Sequence, residues 1–258
     1  MASTLVKIPF VWAAMFALHV AATPPNPPAS KEERTLSTKH ESFMNKHFGR
    51  TVVEVRIFSA PVVHTLTCYR PFKILCLIGA SAETICILAT QAPLSSTTQA
   101  LLTLCSPSGP ASAYRIALSP AFFWGILICL FGGFIRYKSY AALGPMFTFE
   151  VAIRDNHKLI THGPYAYIRH PSYIGVPLTV LGIAIYHASP GSWFRECDVL
   201  RTKGGMAAVA LFGVLMSLII SGLMKRVEKE DKMLRQKFGK QWDEWAERVP
   251  YRLVPMVY

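Results

Sequence analysis

Long apolar runs alternating with short loops, the positive charges falling on every second loop, constrain this chain more than any other feature. Residues 5–22, 72–92, 115–135, 171–188 and 206–224 each approach the length that crosses a hydrocarbon core as a helix. Backbone polar groups in lipid must be satisfied within the segment, so the fold expected is all-α: a polytopic transmembrane helical bundle of about five spans. Composition agrees, because hydrophobic residues make up 52% of the 258 residues and charged ones 16%, too apolar for an ordinary soluble domain. A formal net charge of +12 would suggest nucleic acid in a soluble protein. Here the cations flank apolar runs, so they report orientation in a membrane, and no nucleic-acid partner is expected. The six cysteines form no CxxC pair and lie mostly in or beside apolar runs. They read as buried thiols, with neither a metal site nor a disulfide framework.

Taken in order, residues 5–22 fit either an anchor helix, the preferred reading, or a cleaved signal peptide. Residues 31–56 are polar and of mixed charge, expected as a cytosolic segment with some amphipathic helix. Residues 57–69 are too short to cross, and with Pro61 and His64 inside they suggest a surface or re-entrant segment. Glu83 stands inside the second run and needs a partner on a neighbouring helix. Residues 93–114 carry no charged side chain and are expected as a lumenal loop. Arg136 and Lys138 mark a cytosolic end, residues 189–204 form a second lumenal loop, and the tail from Lys225 is cytosolic. The last span should continue into that tail as one helix, because no proline or glycine interrupts it before Gly239.

Between two of the spans lies HKLITHGPYAYIRHPSYIG, residues 157–175, where polar chemistry concentrates at the membrane boundary. Gly163-Pro164 signals a turn, and Pro171 suits the first position of a helix while keeping His170 out of helical dihedrals. The amides from Ser172 onward would then offer a seat for an anion. On the tail, Arg226 and Glu230 are four residues apart and share a helix face; an ordinary solvated pair is the plain reading of that spacing. Phe238, Trp242, Trp245 and Val249 form an apolar stripe beyond them, expected to serve as core or interfacial anchor. If the tail folds over residues 157–175, the two enclose a cytosolic pocket.

The run HKLITHGPYAYIRHPSYIG, with the downstream RVEKEDKML and FGKQWDEWAERVP, resembles the isoprenylcysteine carboxyl methyltransferases and their wider group of membrane methyltransferases. The resemblance covers roughly residues 143–255. It implies transfer of a methyl group from S-adenosyl-L-methionine to the C-terminal carboxylate of a prenylated cysteine in CaaX proteins, at the cytosolic face of the endoplasmic reticulum membrane. It implies that residues 1–142 supply N-terminal spans and residues 143–258 the catalytic region, with a cytosolic cofactor pocket formed by the loop and the C-terminal helix. By motif, His157, Lys158, Leu159, Ile160, Tyr165, His170, Pro171, Ser172, Tyr173 and Glu230 match cofactor positions, and Arg226 matches the residue assigned to the substrate carboxylate. Arg226 and Glu230 are thus the catalytic pair that the resemblance implies. FTFEVAIRDN is shorter than the family's usual segment before His157, and His162 stands where a small polar residue is common, either tuning pH dependence or, as preferred here, capping the turn.

Two further readings stay open. A phospholipid or other small-lipid methyltransferase would use the same cofactor with another acceptor, although a cation at Arg226 favours a carboxylate acceptor. The ending WDEWAERVPYRLVPMVY also resembles the NADPH-dependent membrane sterol reductases, which are much longer. Membrane lipid is the expected surrounding in every case.

Overall fold

The computed structural model describes residues 4–27, 61–148 and 157–256, with residues 61–69 described as backbone only. The described residues form helices and connecting turns, without a strand. Eight α-helices follow in order: α1 (Lys7–Ala21), α2 (Pro61–Gln91), α3 (Ser96–Cys105), α4 (Pro120–Leu143), α5 (Pro171–Ala188), α6 (Trp193–Glu196), α7 (Lys203–Phe238) and α8 (Lys240–Arg248). Five segments are long and apolar enough to cross a membrane: Thr4–Ala21, Arg70–Gln91, Pro120–Met146, Pro171–Ala188 and Lys203–Phe238. The chain is therefore an all-α, multi-pass membrane protein, as the apolar runs require.

Three local expectations meet a more detailed structure. Residues 61–69 are not a separate segment; they open α2, with Pro61 at its first position, where a proline removes no intrahelical bond, and Pro71 inside it. Residues 93–114 are not all loop. Ser95 and Thr98 form a capping box that starts α3, and Leu102 buries its side chain, anchoring ten residues too short to register as a hydropathy peak. Residues 189–204 likewise contain α6 and a 3₁₀ turn at Val199–Arg201. The expectations for residues 31–56, and for residues 57–60, lie outside the described residues. The last span does run on without interruption to Phe238, and the chain turns at Gly239, whose φ of +51° favours glycine.

The described residues divide into two compact units. The first takes in α1, most of α2 and α4, and the parts of α5 and α7 at residues 175–217. Small residues bring its helices together: a Cβ on Gly182 would lie 2.3 Å from the Cys129 amide nitrogen, one on Gly132 would lie 2.5 Å from that of Thr179, and one on Gly133 would lie 2.8 Å from the Ala17 Cβ. Such close backbone approach drives helix association where lipid offers no hydrophobic gain. Glu83 finds the partner it needs. Its carboxylate takes Lys7 Nζ at 2.5 Å and the Tyr186 hydroxyl at 2.5 Å, and both Glu83 and Lys7 are fully buried. Lys7 Nζ also donates to the Gly191 carbonyl at 2.7 Å, so α1 is packed into this unit. The described cysteines carry no disulfide; four of the five are buried.

The second unit holds residues 23–69, 135–174 and 218–258 as far as they are described. Its core is aromatic: Tyr165, Trp242, Trp245 and Val249, with Leu159, Ile160, Leu234 and Phe238 packed against them. The stripe beyond Arg226 and Glu230 is thus core, and the site is built on it.

Candidate functional site

α5 begins at Pro171, and the residues before it are held by the C-terminal segment. The Arg169 amide donates to the Tyr251 carbonyl and the His170 amide to that of Arg252, both at 2.9 Å, which ties residues 169–170 to residues 251–252. Below this bridge stands Asp231, which is buried with a side chain 8% exposed. One carboxylate oxygen accepts from His170 Nε2 at 2.8 Å, while the other takes Arg169 Nη1 at 3.1 Å and Arg252 Nε at 3.5 Å. Two cations and an imidazole around one carboxylate keep a buried charge compensated. The acceptor also assigns the proton of His170 to Nε2, which turns Nδ1 towards Glu230 at 3.9 Å.

Arg226 and Glu230 converge on Tyr173. The Tyr173 hydroxyl donates to Glu230 Oε2 at 2.5 Å, the Arg226 guanidinium lies 5.6 Å from the centre of the same ring, and the His170 ring stacks on it at 5.5 Å. Arg226 Nη2 reaches the Thr148 carbonyl at 3.5 Å. The pair is half-buried and engaged with α5, which sets aside an ordinary solvated pair. The Glu230 side chain is 32% exposed and keeps access to solvent beside a cation.

The other residues singled out by motif divide into three settings. Leu159, Ile160 and Tyr165 belong to the tryptophan core, and Trp245 Nε1 donates to the Tyr165 carbonyl at 3.2 Å. Burial raises the Tyr165 phenol above its ordinary range, so it stays protonated. His157 lies with its ring 6.1 Å from that of Phe238, and the Lys158 amide donates to the Met146 sulfur at 3.2 Å. Ser172 takes Arg136: Nη1 donates to its hydroxyl at 2.5 Å and its carbonyl at 3.0 Å. Of the amides expected to receive an anion, that of Tyr173 already donates to the His170 carbonyl at 3.1 Å. His162 stands at the N-cap of the 3₁₀ turn Gly163–Ala166, but its side chain makes no capping bond; its carbonyl accepts from the Tyr165 amide at 3.3 Å.

Two residues of this site escaped the sequence. Asp231 reads as one more charge in a solvated run, yet its acidic neighbour in EKED was the visible one; only the fold brings Arg169 and Arg252 to it. Arg136 reads as a marker of membrane orientation, but it is 2% exposed and lies over the rings of Tyr140 and Phe147 at 5.1 and 5.5 Å. Among the described residues, no three histidine, cysteine, aspartate or glutamate side chains converge as metal ligands.

Residues 125–190 match the sequence model of the isoprenylcysteine carboxyl methyltransferase (ICMT) family. Over 127 residues, 48% of this chain, it is 31% identical to the probable protein-S-isoprenylcysteine O-methyltransferase of Oryza sativa subsp. indica. Over 129 residues it is 30% identical to protein-S-isoprenylcysteine O-methyltransferase B of Arabidopsis thaliana, and in both cases the match spans little more than half, 56%, of the plant protein. A Delta(14)-sterol reductase of Mus musculus is 29% identical over 101 residues, covering 39% of this chain and 20% of that protein. The matched region includes the start of α5 with His170, Pro171 and Tyr173, and over it the chain is similar to the isoprenylcysteine carboxyl methyltransferase family.

Proposed function

We propose that the chain transfers a methyl group from S-adenosyl-L-methionine to the C-terminal carboxylate of a prenylated cysteine, at the cytosolic face of the endoplasmic reticulum membrane, through residues 143–258. The observation that carries the reading is the convergence of Arg226 and Glu230, one helical turn apart, on Tyr173 at the start of α5. A cation and an anion held side by side suit a reaction in which a carboxylate meets a cationic donor. The cofactor supplies a methyl group already activated on a sulfonium centre. The half-exposed Glu230 carboxylate and the apolar wall of Leu159 and Ile160 fit a group that carries ribose hydroxyls, an ammonium and a flat base. We assign its holding to His157, Lys158, Leu159, Ile160, Tyr165, His170, Pro171, Ser172, Tyr173 and Glu230.

An acceptor carboxylate is ionised near neutral pH, so no general base is needed. The protein's contribution is orientation of the acceptor oxygen and replacement of its water by fixed donors. Arg226, whose guanidinium forks towards a carboxylate in two parallel hydrogen bonds, performs both, and stacking on Tyr173 limits its freedom before the acceptor arrives. Asp231 orients His170 and thereby the turn into α5. An amine acceptor, as in a phospholipid methyltransferase, would gain nothing from the cation, and the sterol reductase likeness covers only a fifth of that relative.

In detergent-solubilised protein, Arg226→Ala should lower turnover by about 100-fold, the effect of removing a charged donor from a reacting oxygen, while calorimetric affinity for S-adenosylmethionine stays within about twofold. Unchanged turnover would remove Arg226 from the reaction.

A further inference from the structure

The first unit gathers three thiols that the proposed chemistry leaves unused. Cys86 lies near the end of α2, Cys105 is the last residue of α3, and Cys197 caps the C-terminal end of α6. Cys86 and Cys197 are fully buried in one apolar cluster with Leu102, Ile116 and Trp193, and Cys105 packs against it. The Ser106 hydroxyl lies 3.6 Å from the Cys86 Sγ and 3.6 Å from the Cys197 Sγ, and the two thiols share a hydrogen bond with each other. Backbone contacts fix the frame around them: Trp193 Nε1 donates to the Cys105 carbonyl at 2.6 Å, and the Cys197 amide donates to the Trp193 carbonyl at 3.0 Å.

We propose that Cys86 and Cys197 are an oxidisable pair, which thiol–disulfide exchange with a low-molecular-weight disulfide joins into a bridge tying the end of α2 to the loop that carries α6. Cys197 is the attacking thiol. Its hydrogen bond with Cys86, those with Ser112 and Ser106 and the charge of Arg115 outweigh its burial and hold it below its ordinary range, whereas burial pushes the Cys105 thiol up. The Cys197 thiolate attacks one sulfur of the small disulfide, which forms a mixed disulfide and releases one thiolate. That thiolate takes the Cys86 proton; Cys86 then attacks the Cys197 sulfur and expels the second thiolate, which is protonated from solvent. Two protein thiols are oxidised and one small disulfide is reduced to two thiols. Neither protein sulfur touches solvent in the closed fold, so exchange requires α6 to open. Four residues of helix followed by a 3₁₀ turn, outside the spans, are the kind of element that opens locally. The loops carrying Ser106 and Cys197 are the two expected on the lumenal side, and in the endoplasmic reticulum that side is oxidising. The choice of compartment rests on the proposed function; the pairing does not.

The full chain, purified in detergent, reduced and freed of reductant, is incubated with glutathione disulfide, its remaining thiols are alkylated, and its peptides are analysed without reduction. One peptide pair joined through Cys86 and Cys197 should dominate, its yield following the ratio of glutathione disulfide to glutathione. The unfolding midpoint should rise by several degrees and return on addition of dithiothreitol. Those readings need no variant to fold. Cys105→Ser should leave the joined pair in place, and Cys197→Ser should abolish both the pair and the shift. Joining through Cys105 instead, glutathione retained on Cys197 without transfer to Cys86, or alkylation of every cysteine after the incubation would each overturn the assignment. No reading depends on methyl transfer, so a failure here is distinguishable from a failure of the proposed function.

Discussion

Asp231 is the residue on which the candidate site depends most. It is buried and joins the end of the loop through Arg169 and His170 to the C-terminal segment through Arg252. Removing one member of a buried ionic cluster leaves the others uncompensated and costs about 3–5 kcal/mol. Asp231→Ala should therefore lower the unfolding midpoint of the purified protein by several degrees, and Asp231→Asn, which keeps an acceptor for His170 Nε2, by less. Glu230 is different in kind: it is partly exposed, so Glu230→Gln should leave the midpoint almost unchanged while weakening the binding of S-adenosylmethionine. Calorimetry on the two variants separates a positioning role from a binding one. If Asp231→Ala melts with the unaltered protein, the cluster is not holding the loop.

At the scale of elements, close approach of helices decides the first unit. Gly125 and Gly132 on α4 face Gly182 and Thr179 on α5 so tightly that a Cβ on Gly125 would come within 2.6 Å of the Tyr186 amide nitrogen. Gly182→Leu should separate the two helices, which a loss of folded protein in fluorescence-detected gel filtration would report; Gly213→Leu, where a Cβ meets nothing within 4 Å, serves as the control and should behave as the unaltered chain. The spans themselves were legible in the sequence, because each is a run of apolar residues whose length matches the bilayer and whose ends carry charge. The start of α5 was legible to the residue, since Pro171 both ends the loop and opens the helix. What escaped notice has physical causes. α3 is short and rich in serine and threonine, so its capping box was its only signal. The Asp231 cluster joins residues more than sixty positions apart along the chain to one another, through bonds that no local pattern encodes. The motif resemblance singles out Arg226 and Glu230, whose spacing alone reads as an ordinary solvated pair, and their shared partner Tyr173 on α5 is apparent only in the fold.

At the scale of the whole molecule, two buried ionic centres serve different ends. In the first unit the Lys7–Glu83 pair ties α1 to α2, both long and apolar enough to cross a membrane. Lys7→Ala should cost about 3–5 kcal/mol by stranding Glu83, and the double change Lys7→Met with Glu83→Leu should recover most of it, because apolar replacement of a buried pair is close to neutral. A double variant no more stable than Lys7→Ala would show that the ion pair does more than compensate its own charges. In the second unit the Asp231 cluster and the tryptophan core hold Arg226, Glu230 and Tyr173 beside the start of α5, where the proposed methyl transfer takes place. Membranes containing this protein, given radiolabelled S-adenosylmethionine with a farnesylated cysteine analogue and phosphatidylethanolamine together, test that proposal most directly. The account predicts label in a base-labile ester on the cysteine analogue, lost with Arg226→Ala; label in the phospholipid alone, or in neither acceptor, would contradict it.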